Sequence, residues 1–275
     1  MPMGNSRGRE NLAGRSTESW RPPIFGPGRS RWQRAHAAAR RFFDLQASSI
    51  WKDLAVELPT VRGRLLDVGC GAQPYRRLLG SDVAYLGIDS IDAKAHFGYE
   101  TPATRYFAGE TWPVETGSID VVLCAETLEH IVEPRAFLRE MHRCLRPGGR
   151  VILTVPFAAR WHFIPHDYWR FTPSGLTHLL TGTGFTDLTI YARGNPLTVA
   201  CYKQMALFLP LLLPQHPAPL RRWMLRLLGV LAAPVVVLLA AIGNASLRSK
   251  GGDDCLGYTL LARRDGRPPA NANGG

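Results

Sequence analysis

Cysteine is sparse and scattered. Five cysteines stand at positions 70, 124, 144, 201 and 255 of 275 residues, and no two form a Cys-x-x-Cys pair. That spacing gives neither a zinc-ribbon site nor a disulfide framework, so a reducing compartment and no bound metal are expected. The first thirty residues lack the apolar core of a secretion signal and are rich in Arg, Gly, Ser and Pro; residues 1–29 read as a disordered basic tail. Acid is missing from a long internal stretch, since Gly194 to Gly252 holds no Asp or Glu against six basic residues. The formal charge of +11, from 33 basic and 22 acidic residues, is concentrated there and in the first 41 residues, which carry nine arginines and two glutamates. The remainder is slightly acidic. Such a distribution does not suit a uniformly basic nucleic-acid-binding face, and no nucleic-acid partner is expected.

A third glycine is missing from the stretch that organises the chain, Arg64-Leu65-Leu66-Asp67-Val68-Gly69-Cys70-Gly71-Ala72-Gln73-Pro74-Tyr75. An apolar run ends in an acid and then two glycines spaced by one residue, the pattern of a buried strand turning tightly so that a ligand can approach the backbone. The dinucleotide fingerprint requires another glycine three positions after the second, and Pro74 stands there, which argues against a nicotinamide cofactor. A second strand, Ala84 to Ile88, ends in Asp89, 20 residues after Gly69. At that separation an α/β nucleotide site brings a carboxylate to the ribose hydroxyls, both of which it can accept.

The apolar periodicity places the other elements. A helix is expected from Arg31 to about Leu58, with Trp32, Ala35, Phe42, Ile50, Trp51 and Leu54 on a broad apolar face and Pro59 as its stop. Another begins at Tyr75, and a polar loop follows Asp89. Strands are expected at Arg64–Val68, Thr104–Phe107, Ile119–Cys124, Arg150–Val155, Phe185–Tyr191 and Gly257–Ala262. Pro134 opens a helix to Leu145, stopped by Pro147-Gly148-Gly149, and Thr172-Pro173 caps one through Leu180. Pro196 to Leu213 is largely apolar, and Leu227 to Leu247 carries no charge over 21 residues, long enough to span a bilayer. Pro234 and many small residues equally suit a buried helix.

The glycine turn resembles motif I of the class I S-adenosylmethionine-dependent methyltransferases, with Gln73 standing where a third glycine is common. Ile119 to Pro156 resembles the region of that family's quinone-biosynthesis members in which an acid-histidine pair precedes a helix, an Arg-Pro-Gly-Gly turn and an apolar strand ending in proline. His166-Asp167-Tyr168-Trp169-Arg170-Phe171-Thr172 is similar to a stretch of bacterial methyltransferases associated with glycan or cell-surface polymer biosynthesis. The resemblance implies a Rossmann-like seven-stranded, mostly parallel α/β sheet whose last strand inserts antiparallel between strands five and six. The methyltransferase domain would occupy 30–264, with an apolar helical hairpin at 196–250 between strands six and seven, and a second disordered tail at 265–275.

It implies S-adenosylmethionine as cofactor, held by Asp67, Gly69, Cys70, Gly71 and Asp89, with Gly109, Glu110, Ala125 and Glu126 near the adenine and the strand-four edge. Methyl transfer to oxygen or nitrogen is helped by a base, and His130, His162 and His166 are the candidates; Asp167 and Tyr168 stand beside the last, and His166, Asp167, Tyr168 and His130 form the expected catalytic set. The acceptor is expected to be a small molecule or a lipid-linked, envelope-associated glycan, with an anionic membrane surface as a second partner at the inner face of the membrane. A soluble methyltransferase capped by the hairpin, and a non-catalytic cofactor-binding membrane protein, are the alternatives.

Overall fold

The computed structural model describes Leu12, Gly14 and residues 30–97, 101, 103–212 and 218–266. The two expected tails lie almost wholly outside the described residues. Among these, seven strands form one sheet: β1 (Arg64–Val68), β2 (Ala84–Ser90), β3 (Thr104–Phe107), β4 (Ile119–Ala125), β5 (Leu145–Pro156), β6 (Phe185–Arg193) and β7 (Gly257–Arg264). Their order is β3-β2-β1-β4-β5-β7-β6, with β7 antiparallel between β5 and β6 and the first five strands parallel. The Rossmann-like sheet expected from the sequence is present. Its strand order reverses between β1 and β4, where the carboxyl ends open a crevice.

The central strands are apolar on both faces because both are covered. Leu66, Val68, Val122 and Cys124 enter one core with Leu138 and Met141 of α4 (Pro134–Cys144) and Leu176 and Leu180 of α5 (Pro173–Thr181). Their chain neighbours Leu65, Val121 and Leu123 point the other way, against Ile50 and Leu54 of α2 (Leu45–Glu57).

Four local expectations are corrected. The first helix is two, α1 (Arg31–Phe43) and α2, because Asp44 leaves the helical region and caps the second helix by accepting from the Ala47 amide at 3.1 Å. α1 buries none of its residues and Trp32 is 86% exposed, so the broad apolar face begins only at Leu45. After the glycine turn there is a single 3-10 turn, Arg76–Leu78, and the polar loop beyond β2 contains α3 (Ile91–Phe97). The Pro-Gly-Gly turn is an excursion within β5: Ile119 pairs with Leu145 and Val121 with Arg150, so Arg146 to Gly149 bulge outward.

Between β6 and β7 the chain forms the expected hairpin, α6 (Pro196–Leu212) and α7 (Pro219–Ser246). Both ends meet at its base, where the Thr198 and Ser246 hydroxyls are 2.6 Å apart and the Asn195 amide donates to the Ser246 carbonyl at 3.3 Å. One row of α7, Gly229, Val236, Ala240 and Gly243, is buried. Val236 and Ala240 pack with Leu45, Val199 and Met205. The opposite row, Leu220, Met224, Leu227, Leu231, Val235, Leu238 and Ile242, recurs every three or four residues and is between 38% and 75% exposed. At Gly229 an added Cβ would sit 2.6 Å from the Leu211 carbonyl oxygen, a backbone contact that cannot swing aside. Gly229→Val is therefore expected to part the two helices and cost about 1–3 kcal/mol in urea unfolding. Unchanged stability would contradict the close helix approach.

Candidate active site

The glycine turn is tied to the end of β2. The Gly69 and Cys70 amides both donate to the Ile88 carbonyl, at 3.0 and 3.2 Å, and the Gly71 amide donates to Asp89 Oδ2 at 3.0 Å. Gly69 has φ +68 and lies so close to the loop after β4 that a Cβ would be 2.4 Å from Thr127 Oγ1, so only glycine fits. Gln73 also adopts a positive φ, 55°, which explains why glycine suits this place. Its side chain holds it there, donating to Thr104 Oγ1 at 2.9 Å and accepting from Arg76 at 2.9 Å. Asp67 is buried under the turn and accepts from Tyr85 Oη at 2.7 Å. Burial pushes its carboxyl up to about 7; the Tyr85 bond opposes this and the nearby Asp89 adds to it. Cys70 is buried with its sulfur 3.4 Å from Thr104 Oγ1, and burial raises its thiol to about 12.

Of the other residues expected at the cofactor, Gly109 and Glu110 are exposed on the loop after β3, and Ala125 ends β4. Glu126 has φ +51 and is engaged by Arg193 of β6 at 2.7 Å. That arginine is fully buried and also donates to the Val155 carbonyl at 2.9 Å and Ser49 Oγ at 3.3 Å. Nothing local in the sequence joins residues 126 and 193; β5 and β7 lie between their strands in the sheet, and the arginine reaches across over Gly257 of β7, where an added Cβ would sit 2.2 Å from its Nη2.

The loops after β4 and β5 are stitched together. The Tyr168 and Trp169 amides both donate to the Glu129 carbonyl, at 2.9 and 3.2 Å, and the Trp169 indole donates to the Ile131 carbonyl at 2.8 Å. His130 Nδ1 lies 2.8 Å from the His166 carbonyl. Asp167 does not orient the adjacent His166. It accepts from the His162 backbone amide at 2.9 Å, lies 3.1 Å from His162 Nδ1, and receives both arms of Arg170 at 2.6 and 2.7 Å. His166 is exposed beside Tyr168, whose hydroxyl is 3.3 Å from its Nδ1. The structure therefore brings His130, His162 and Glu129 together and leaves His166 at the rim. Glu129, the acid of the acid-histidine pair, was not among the expected site residues; its carboxyl is completely buried, and burial, then the charge of Glu126, push it well above the usual carboxylate range.

The two inner histidines are shifted in opposite directions. Burial and the neighbouring His162 hold His130 down at about 4. Burial would also lower His162, but the hydrogen bond and charge of Asp167 outweigh it and raise the group above its ordinary value. Asp167 is itself kept well below the usual carboxylate range, burial being outweighed by its bonds to Arg170 and His162. A raised histidine stabilises the fold fully below the unfolded value of about 6.5 and loses that contribution as pH rises through its folded value. In a histidine-selective NMR titration His162 should titrate above 6.5 and His130 near 4, and in Asp167→Asn the His162 midpoint should fall below 6.5. Both rings titrating together near 6.5 would contradict this arrangement.

A family profile described as a methyltransferase domain matches residues 39–190, more than half of the chain. The chain is similar to the ubiquinone biosynthesis O-methyltransferase of Ruegeria pomeroyi, 32% identical over 165 residues, covering 48% of this chain and 64% of the relative. It is also similar to the enzyme of that name from Xanthomonas oryzae pv. oryzae, 30% identical over 166 residues, with 52% and 66% covered. The chain thus spans slightly less than two thirds of these relatives. Similar solved structures include a SAM dependent methyltransferase from Archaeoglobus fulgidus, 14% identical, covering 83% of this chain and 99% of that one, with TM-score 0.49. Another is Haemonchus contortus phosphoethanolamine N-methyltransferase 2 in complex with phosphomonomethylethanolamine and S-adenosylhomocysteine, 15% identical, covering 79% and 53%, with TM-score 0.46. By the match over residues 39–190, on a sheet of this order, the chain belongs to the methyltransferase domain family of the class I S-adenosylmethionine-dependent methyltransferases.

Proposed function

We propose that the protein transfers the methyl group of S-adenosylmethionine to an envelope-associated acceptor, a lipid-linked glycan or a related molecule, at the inner face of a membrane. The observation that carries the cofactor reading is Asp89 at the end of β2, fixed by the Gly71 amide where the strand order reverses. The ribose hydroxyls would lie on Asp89, the methionine moiety over Asp67, Gly69, Cys70 and Gly71, and the adenine between Gly109-Glu110 and Ala125-Glu126. Residues 30–264 would act as one methyltransferase domain.

Methyl transfer from a sulfonium is an in-line displacement, so donor carbon and acceptor atom must be held about 3 Å apart and aligned. The stitched loops bearing His130, His162 and the 166–168 segment border the crevice through Thr127, which touches Gly69, and so supply the acceptor side. A neutral imidazole there can take the acceptor proton. His130 and the rim pair His166 and Tyr168 would meet the acceptor, with Asp167 acting through His162.

The hairpin supports the membrane part of the reading. α7 is long and apolar enough to cross a bilayer, with mean hydropathy 2.5 over 18 residues of which 17% are buried. Because its base is joined to α6 at Asn195 and Thr198, a single crossing would strand β7 on the far side of its sheet. Lying in the interface keeps both ends together. The exposed row from Leu220 to Ile242 would face the acyl chains, and Arg221 and Arg226 flank it. At the hairpin base a cleft of about 470 Å³ is lined by Arg41 and Arg248, a place suited to an anionic headgroup. The name of the curated relatives favours a second reading, O-methylation of a quinone precursor, an apolar acceptor drawn from the same surface.

In a calorimetric titration, Asp89→Ala is expected to weaken S-adenosylmethionine binding by about 2–4 kcal/mol, each lost charge-assisted hydrogen bond contributing about 1–2. Unchanged affinity would sink the cofactor assignment. The protein should float with anionic liposomes, and Leu227→Glu with Leu231→Glu, both on the exposed row, should abolish flotation. Equal flotation of the two proteins would reject the membrane reading. Labelled methyl transfer into lipid-linked saccharide rather than quinone precursor separates the two acceptors.

A further inference from the structure

Glu129 is fully buried, and neither of its carboxylate oxygens has a hydrogen-bond partner. His130 Nε2 lies 3.6 Å from Glu129 Oε1. A buried carboxyl left unpartnered is costly, and a fold keeps one where something binds it. One ligand atom from each of Glu129, His130 and His162 lies within 4.8 Å of the other two. Both rings have their far nitrogen fixed from outside the cluster. His130 Nδ1 faces the His166 carbonyl at 2.8 Å, which places its proton there and leaves the Nε2 lone pair towards Glu129. His162 Nδ1 faces the Arg160 carbonyl at 3.0 Å and Asp167 at 3.1 Å, and Asp167 is clamped by Arg170. Carbonyl and carboxylate acceptors behind ligating imidazoles fix their tautomer and orientation.

We propose that Glu129, His130 and His162 bind one divalent transition-metal ion. Two imidazoles and a carboxylate without thiolate suit zinc, cobalt, manganese or ferrous iron, whereas magnesium and calcium prefer all-oxygen sets. Ligands about 2.1 Å from an ion stand about 3.0–3.5 Å from one another, so the cluster closes by a small side-chain adjustment. Three protein ligands leave coordination positions open for a further ligand. An ion so held would act as a Lewis acid on a coordinated hydroxyl, making that oxygen easier to deprotonate; His130 is then a ligand, and the base of the proposed function is the rim His166. The proposal does not depend on which acceptor is methylated, since binding of the ion is read without cofactor or acceptor. No sequence spacing announced it: His162 follows His130 by 32 residues, on a loop that β5 and the Glu129 carbonyl bring alongside.

The test uses the full chain without an affinity tag of histidines, stripped with chelator and titrated with Co²⁺ in visible absorption and with Zn²⁺ in calorimetry. One ion per chain is expected, with ligand-field bands from Co²⁺ and no heat from Mg²⁺. Glu129→Gln and His162→Gln should each weaken binding about a hundredfold or more, while His178→Gln, on the exposed face of α5, should leave it unchanged. Circular dichroism reports whether each variant folds. If Glu129→Gln does not, the partly exposed His162→Gln decides. No binding by the unsubstituted chain at micromolar ion, or binding unaltered in folded His162→Gln, would overturn the site.

Discussion

The contact on which the crevice depends is the pair of amides, Gly69 and Cys70, that share one carbonyl, Ile88, at the end of the neighbouring strand. Parallel β1 ends at Val68, opposite Ile88 and two residues before the end of β2, and its chain must then leave the sheet without stranding its amides. Sharing Ile88 satisfies two of them and turns the backbone so that the third, on Gly71, meets Asp89. That turn needs positive φ at Gly69, Gly71 and Gln73 within five residues. The strain is offset by the ties from Gln73 to Thr104 and Arg76, which also carry the turn across to β3.

On the other side of the crevice, charge is buried in pairs. Arg193 lies fully inside with Glu126, and Asp167 with Arg170 and His162. Such pairs contribute little net stability compared with apolar groups of the same size, but removing one partner leaves an unpaired buried charge. They fix position: Arg193 joins β6 to the end of β4, and Asp167 sets the ring of His162. Glu129 stands apart as the one buried carboxyl among the described residues whose oxygens have no hydrogen-bond partner.

Strand after strand was legible because each is an apolar run bounded by turn residues: β1 and β3 have the ends that periodicity assigns, and β2 and β4 extend one or two residues further. Asp89 was legible because its distance from Gly69 is fixed by one strand-loop-strand unit. Where reading failed, the deciding force was not local. Trp32 is apolar yet exposed because none of the described residues covers its side of α1, and Tyr75 to Leu79 stays a single turn because the chain must reach β2 at once. Adjacency suggested that Asp167 serves His166, but neighbouring residues on an extended loop point apart, and the partner is His162 five residues earlier. Glu129 was visible only as the acid of the acid-histidine pair, with no role assigned, and Arg193 not at all, since their meaning lies in burial and in partners far along the chain.

A crystal structure of the full chain with S-adenosylhomocysteine tests the cofactor assignment most directly. The ribose hydroxyls should lie on the Asp89 carboxylate, with the amino-acid part over the Gly69–Gly71 turn and the sulfur facing the loops that carry His130 and His162. The product bound away from the carboxyl ends of β1 and β2, or no binding at saturating concentration, would contradict it.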